Sequence, residues 1–146
     1  MTQATAFAQI LGAMQAALQA DPPVSATVYR GVRTRAVPRD LPDAIALRLV
    51  QAEIDQGAGA GVRGVWQTAV VVECYARAVA DVDGPLDLLM SAAVDRLLAD
   101  PSLGGLVGAL VPQGVTWDFD IDGEQTACAL ITLLVRHVTA AGHFSI

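Results

Sequence analysis

The stretch VWQTAVVVECYARAV, residues Val65–Val79, contains the clearest strand pattern of the sequence and decides its fold class. Side chains in a strand alternate between two faces, so every second residue belongs to the same row. One row is mainly apolar and is predicted to face the core: Trp66, Thr68, Val70, Val72 and Cys74. The other row is amphipathic and is predicted to contact a partner protein: Gln67, Val71, Glu73, Tyr75 and Arg77.

Two segments with helical periodicity flank this strand. Near the start of the chain, an apolar row spaced by three and four residues predicts an amphipathic helix that ends before Asp21-Pro22-Pro23. The row contains Phe7, Ile10, Leu11, Met14 and Leu18. A second helix is predicted within Asp81–Pro101, with Pro85 in its first turn. Its buried stripe contains Leu86, Leu89, Met90, Ala93 and Leu97.

Further strands are predicted on both sides of Val65–Val79. Val24–Arg33 reads as a strand, whereas Ala44–Ile54 is ambiguous between strand and helix and is interpreted as a strand because its apolar residues alternate. Ser102–Gly114 is expected to contain one short helical turn. The order α-β-β-β-α-β-β predicts an α+β fold, with a largely antiparallel or mixed sheet of about five strands packed against two main helices. The length predicts a single domain, residues 1–146.

The segment WDFDIDGEQTA, residues Trp117–Ala127, carries an aspartate at every second position. These acids are Asp118, Asp120 and Asp122. With the glycine that follows, they match the first positions of a calcium-binding EF-hand loop, but the position that needs a bidentate glutamate is Ala129. Large apolar residues alternate with the acids, as in a half-buried strand. They are Trp117, Phe119 and Ile121. We therefore predict an acid-faced hairpin that turns at Asp122-Gly123, and no metal site.

The composition excludes several classes of site. All nine basic residues are arginine, so no P-loop lysine or Schiff-base lysine is present. No zinc-ligand spacing and no nucleophile motif occurs, and we predict neither enzyme activity nor a cofactor. Cys74 and Cys128 are expected to be reduced core residues. The net charge of −6 does not favour tight binding of nucleic acid, and no apolar run approaches the roughly 18 residues of a membrane span.

Two segments are candidates for docking. GAGAGVRG, Gly57–Gly64, cannot be a Walker loop without a lysine and is predicted to be a mobile hairpin loop that either orders on a partner or is idle. Its candidate contact residues are Gly57, Gly59, Gly61, Arg63 and Gly64. The second docking candidate is the proline-rich connection Thr34–Asp43. It overlaps a segment rich in arginine, which suits a protein interface, a solvated surface or, less well, DNA. Its arginines are Arg30, Arg33, Arg35 and Arg39.

The order of these elements resembles the tail terminator, or minor tail, proteins of tailed phages. The resemblance covers almost the whole chain. It rests on ADPPVSATVYRGVRTRAVPRDLPDAIALRL, with a basic segment before a proline, and on WQTAVVVECYARA, a strand that ends in an aromatic residue. It continues in LLMSAAVDRLLADPSLGGLVGALVPQGVTWDFD, where a helix ends in a Leu-Gly-Gly turn before an acid-rich strand.

The resemblance implies a non-enzymatic virion protein that forms a ring, typically a homohexamer. Such a ring caps the finished tail tube, ends tube polymerisation and takes part in head-tail joining. The implied partners are further copies of the chain, the tail tube protein and a head-completion or connector protein. DNA passes transiently through the bore, and no membrane is involved. The implied location is the head-proximal end of the tail, and the bacterial host cytoplasm during assembly.

Within this implied ring, the arginine segment and the Glu73, Tyr75 and Arg77 row are expected to contact a neighbouring subunit or the tube. The three aspartates either line the bore or its mouth, or form the solvated outer face of a sheet. Two alternatives remain open. One is another tail or head-completion component of similar fold, such as the tube protein or a connector. The other is a metal-dependent hydrolase that uses Asp118, Asp120 and Glu73.

Overall fold

The structure, a computed structural model, describes residues 4–31, 37–38, 40–55, 63–77, 83–119 and 126–146. These residues form two helices and five strands in the predicted order. The elements are α1 (Ala6–Gln19), β1 (Val28–Arg30), β2 (Asp43–Ile54), β3 (Gly64–Arg77), α2 (Asp83–Leu98), β4 (Ala109–Phe119) and β5 (Thr126–Thr139). Within these ranges no helix is long and apolar enough to cross a membrane.

The strands form one sheet in the order β1-β2-β3-β5-β4. Neighbouring strands are antiparallel, except that β1 and β2 are parallel. The predicted α+β fold with a mixed, largely antiparallel sheet is therefore confirmed. The two longest strands, β3 and β5, lie in the middle and pair along their whole length, from Gly64 opposite Thr139 to Arg77 opposite Thr126.

Both helices pack on one face of the sheet, which we call the helix-covered face. The predicted core row of β3 lies there, and Val70, Val72 and Cys74 are buried with the apolar row of β5. The helices supply the other half of this core through Ile10, Leu11, Met14 and Leu18 of α1 and Leu86, Leu89, Ala93 and Leu97 of α2. Burying a side chain of this kind contributes about 1.5–3 kcal/mol. The opposite side of the sheet, called the helix-free face, carries the amphipathic row of β3.

A single arginine ties the two helices together. The Arg96 guanidinium, in the last turn of α2, donates to the carbonyl oxygens of Ala17 (3.0 Å), Ala20 (2.8 Å) and Pro22 (2.7 Å) at the end of α1. The last turn of a helix leaves its carbonyl acceptors unpaired, which applies to Ala17 in the last turn of α1 and to its C-cap residue Ala20, and Pro22 follows the helix. Arg96 therefore supplies both the hydrogen bonds and a charge of the favourable sign.

An aromatic cluster closes one corner of the sheet. Phe7 of α1 contacts Trp66 and His137 edge-on, with ring centroids 5.5 and 5.4 Å apart. Phe144, in the segment after β5, completes the cluster against Phe7 and Trp66. His137 is fully buried, and its Nε2 lies 2.7 Å from the Thr68 hydroxyl. This burial lowers the pKa of His137.

Two sequence predictions about element boundaries were wrong. The first strand is three residues long, Val28–Arg30, although strand composition begins at Val24. The helical turn expected within Ser102–Gly114 is absent, because Leu103, Gly104 and Gly105 have positive φ, which a right-handed helix does not permit. Their turn instead leads directly into β4, which begins at Ala109.

Candidate functional site

The helix-free face is organised around Glu73 in the central strand β3. Its carboxylate accepts from the Arg48 Nε of β2 at 2.9 Å and from the Tyr75 hydroxyl at 2.7 Å. Burial, together with this hydrogen bond, raises the pKa of Tyr75, so the phenol keeps the proton that it donates. Glu73 and Tyr75, predicted from sequence to contact a partner, thus have their polar groups hydrogen-bonded within the subunit.

Arg77, the third polar residue of this row, holds the connection between β1 and β2. Its guanidinium donates to the carbonyl oxygens of Val37 (3.3 Å) and Pro38 (3.5 Å). The Val37 side chain is fully buried against a small second core on the helix-free face. This core contains Tyr29, Ala44 and Ala46, with Tyr75 at its border. Arg77 therefore fixes one corner of this face.

The arginines of the helix-free face all have acceptors. Besides Arg48 and Arg77, the face carries Arg136 of β5, whose guanidinium lies 3.2 Å from the Asp55 carboxylate. Both members of that pair are partly exposed, so the pair contributes at most about 1 kcal/mol to folding. The effect of this pairing on the charge of the surface matters more than its contribution to the free energy of folding. Each described arginine of this face is engaged by a carboxylate or a carbonyl.

The two strands of the predicted acid-faced hairpin form the antiparallel pair β4–β5. Asp118 is exposed on the helix-free face, opposite Cys128, whereas Asp120, Asp122 and the predicted turn lie outside the described residues. Burial raises the pKa of the Cys128 thiol to about 12, so it stays protonated.

A shared metal ion between Asp118 and Glu73 conflicts with the sheet. Their strands, β4 and β3, are separated by β5, and each step between strands is about 4.8 Å. The Glu73 carboxylate is in addition engaged by Arg48 of β2, on the other side of β3, and by the Tyr75 hydroxyl. Across the described ranges, no three acidic, histidine or cysteine side chains are grouped so that they can hold a metal.

The edge strand β4 exposes large apolar side chains that the sequence predicted to be buried. Trp117 and Phe119 lie opposite Ala129 and Ala127, hence on the helix-covered face, yet they are 55% and 52% exposed. The prediction of a half-buried strand was wrong here because alternation reports which residues share a face, not whether a helix reaches far enough to cover them. Together with Leu86, Asp87 and Met90 of α2, the two rings line a groove of about 320 Å³.

A second exposed apolar edge lies at the opposite side of the sheet. Beyond the three residues that pair with β1, the remainder of β2 has no strand on its outer side in the described structure. This part of β2 exposes Leu49, Val50 and Ile54, while β4 exposes Val111 and Val115 besides the two aromatic residues. Seven of the eleven large apolar side chains exposed in the described ranges therefore lie on β2 and β4.

The sequence analysis did not predict that exposed apolar side chains are concentrated on β2 and β4, although β4 contains a residue that indicates an edge strand. Pro112 cannot donate to a ladder, and proline within a strand is confined to edges and bulges. The structure has a bulge between Pro112 and Gly114 and places β4 at the edge. The proline at position 112 was therefore a sequence signal for an edge strand that the sequence analysis did not use.

The other predicted contact residues are only partly described. Arg30 is exposed at the end of β1 and donates to the Ala8 carbonyl at 3.3 Å, whereas Arg33, Arg35 and Arg39 lie outside the described residues. In the glycine-rich segment, Gly57, Gly59 and Gly61 also lie outside, and Arg63 is exposed.

Gly64 belongs to the sheet and not to a loop. It is the buried first residue of β3, where an added Cβ would stand 2.9 Å from both Trp66 Nε1 and Thr139 Oγ1. These two atoms are hydrogen-bonded to each other, also at 2.9 Å. Its assignment to a mobile docking loop is corrected for this reason.

Comparison with known proteins identifies the fold. No family model matches the sequence, and no curated protein matches it. Among solved structures, a chain from the virion of a native gene transfer agent particle is similar, with a TM-score of 0.63 and 12% identity over 88% of this chain and 94% of that one. A second similar structure is the sheath/tube terminator, in its extended state, of an extracellular contractile injection system. That match has a TM-score of 0.40 and 12% identity, and it covers all of this chain and 61% of the other. The fold is therefore shared with a chain of a gene transfer agent virion.

Proposed function

We propose that the chain is a structural tail protein of a phage-type particle that assembles into a ring at the head-proximal end of the tail. There it caps the tail tube, ends tube polymerisation and joins the tail to the head. The observation that carries the proposal is the fold, which matches a virion chain over 88% of this chain and 94% of the other. The order and spacing of the sequence elements, which resemble tail terminators, support the same role.

Because one fold can serve many functions, the proposal needs support from the surface as well. Monomeric proteins usually protect their edge strands with charges, prolines or short lengths. β4 has a proline, Pro112, and an exposed acid, Asp118, but it is eleven residues long and carries exposed aromatic rings, and β2 exposes a second apolar edge. Surfaces of this kind are typical of chains that bury them in an assembly.

We assign the acidic residues to the passage of DNA. Asp118, Asp120 and Asp122 line the bore of the ring or its mouth in this proposal. Every arginine that contacts a phosphate adds affinity through counterion release, which would slow a duplex in transit. Arg48, Arg77 and Arg136 of the helix-free face are already engaged by protein acceptors, which supports a surface that does not grip phosphates.

The remaining predicted contacts are assigned to protein partners. The segment with Arg30, Arg33, Arg35 and Arg39 contacts a neighbouring subunit or the tube, where its guanidinium groups pair with carboxylates. The Gly57–Arg63 segment docks on the tube, and the connector meets the opposite side of the ring. A tube protein of the same fold would share the open edges but would add further rings.

Negative-stain microscopy of the purified chain, combined with light scattering, tests the proposed function. Single-layer rings with a central hole are expected, alone or on the end of isolated tail tubes. Long stacked tubes would identify a tube protein. A chain that stays monomeric and does not bind tube ends would contradict the proposal.

A further inference from the structure

The two exposed apolar edges lie on opposite sides of the same sheet. The strand order puts β4 at one side and the short β1, with the unpaired part of β2, at the other. Along β2, the outer side is unpaired in the described structure from Arg48 to Ile54. A subunit therefore carries two different strand edges, neither of which can pair with the other within one molecule.

The directions of the strands suit a pairing between copies. From β2 to β3, to β5 and to β4, the chain direction reverses three times, so β4 runs antiparallel to β2. β1 is parallel to β2 and therefore also antiparallel to β4. When a second copy extends the sheet with its helices on the same side, β4 meets the neighbour's β1 and β2 in antiparallel orientation, the commoner of the two pairings.

Residues of the two edges also lie at corresponding heights along the strand direction. Following the ladder across the sheet, Arg48 is level with Gly114, and Glu53 is level with Ala109. The unpaired part of β2 thus stands at the height of the first half of β4. Val115 is level with Leu47, the partner of Arg30 in β1. The second half of β4 therefore stands at the height of β1.

Charge adds a third match. Asp118 of β4 is level with Ala44, at the start of β2, where the connection from β1 enters the sheet. Outside the described residues, the sequence carries Arg33, Arg35 and Arg39 in that connection, and Asp120 and Asp122 after Asp118. Their opposite charges suit a contact between copies.

We infer that β4 of one subunit adds as a strand to the β1–β2 edge of the next copy, giving one continuous sheet around the ring. The inference deepens the proposed function and rests on it. The contact is heterologous, because two different edges meet, and repeated contacts of this type close into a ring when the rotation permits. The groove beside Trp117 and Phe119 then takes apolar side chains of the neighbour.

An isologous contact, in which the β4 strands of two copies pair with each other, would bury less of the exposed apolar surface. It would cover the β4 edge twice and leave Leu49, Val50 and Ile54 in water. It would also place the two acidic hairpins in one interface without the arginine segments. The heterologous contact covers both edges with one interface.

A mixing experiment distinguishes the two arrangements. Trp117→Lys blocks the β4 edge, and Val50→Lys blocks the β2 edge, because a lysine on an edge prevents strand addition. Leu88→Lys is the matched control, since Leu88 is 73% exposed on α2 and is not among the residues that line the groove. Oligomeric mass is measured by sedimentation and light scattering at up to about 1 mM protein, where even weak contacts associate.

Wild-type chain and Leu88→Lys are expected to form closed rings. Trp117→Lys and Val50→Lys are each expected to be monomeric, because each has lost one of the two edges. A 1:1 mixture of these two variants is expected to form a heterodimer and nothing larger, because each supplies the edge that the other lacks. Circular dichroism and urea unfolding check that the variants are folded, and Trp117→Thr and Val50→Thr replace any that is not.

The outcomes separate the inference from the proposed function. If both edge variants still form rings, or if Val50→Lys dimerises alone, the edge pairing is wrong and the ring itself stands. If Leu88→Lys also loses the ring, the assembly does not depend on the two edges. If the wild-type chain remains monomeric throughout the concentration range, the ring is wrong and the inference fails with it.

Discussion

At the scale of the residue, Gly64 is the described glycine at which an added Cβ would have the closest neighbours. Its lack of a side chain leaves space for the hydrogen bond between Trp66 and Thr139. Gly64→Ala is expected to lower the free energy of unfolding by about 1–3 kcal/mol, because its Cβ would overlap both partners. Gly114→Ala is the control, since nothing lies within 4 Å of a Cβ there. Removing a strand glycine should leave stability unchanged or raise it by up to about 1 kcal/mol. Urea unfolding measures both, and equal losses would contradict the packing described.

His137 makes the stability of the fold depend on pH. Burial holds its pKa in the folded state below the ordinary value of 6.5, so the unfolded chain binds the proton more readily. The stabilisation by the neutral ring is therefore complete above about pH 6.5 and is lost as the pH falls towards the folded-state pKa. His137→Gln should flatten the decline in unfolding free energy between pH 7 and 5 measured in urea. His143→Gln, at an exposed site, should retain the decline, and identical profiles for the two variants would rule out this role.

At the scale of the element, Arg96 joins the end of α1 to α2. Arg96→Met keeps the aliphatic stem and removes three hydrogen bonds to carbonyl oxygens, so we expect unfolding free energy to fall by about 1.5–3 kcal/mol. Arg63→Met, at an exposed position, should change it by less than about 0.5 kcal/mol. Thermal and urea unfolding give the two values. A loss no larger in Arg96→Met than in the control would show that the helix end is satisfied by water.

The elements differ in how far their sequence determines them. β3 was predicted with its faces assigned correctly, because its alternation is long and one row is almost wholly apolar. The helical stripes of α1 and α2 were equally clear, since their rows spaced by three and four residues fall on one side of each helix, although Leu88 of α2 lies outside the row and is exposed. β4 was recognised only from Trp117 onwards. Its first half contains Pro112 and Gly114, which mask the strand pattern, and its exposure depends on the reach of α2, which no local pattern reports.

The candidate site was less predictable than the fold. Glu73, Tyr75 and Arg77 were identified as a polar row, but their partners Arg48, Val37 and Pro38 come from distant segments. The sequence shows that this face of β3 is amphipathic. Whether its charged side chains are paired within the subunit depends on residues that only the tertiary structure brings near. The exposed apolar edges emerge only once the strand order is known.

At the scale of the whole molecule, net charge governs the interaction with DNA. Changing Asp118, Asp120 and Asp122 to arginine raises the charge by two at each position, which brings the formal net charge from −6 to zero. The variant is expected to retain a short DNA duplex at about 50 mM salt and to release it near 200 mM, while the wild-type chain does not retain it at either. Filter binding measures retention.

The matched control carries the same change of charge on the helix side, as Asp21→Arg, Asp87→Arg and Asp95→Arg. All three residues are exposed. If position matters, this control should bind DNA more weakly than the hairpin variant. Equal binding by both variants would show that only total charge counts and would remove the support for an acidic bore.

The central place of β5 in the sheet has a consequence for synthesis. β4 is made before β5 but has no neighbour other than β5, and β3 likewise lacks its inner partner until residues 126–139 emerge from the ribosome. Pairing across such a sequence separation is slow compared with local helix formation. A chain released before Thr126 therefore lacks the strand with which β4 pairs, and the ladder of β4 forms only after residues 126–139 have been made.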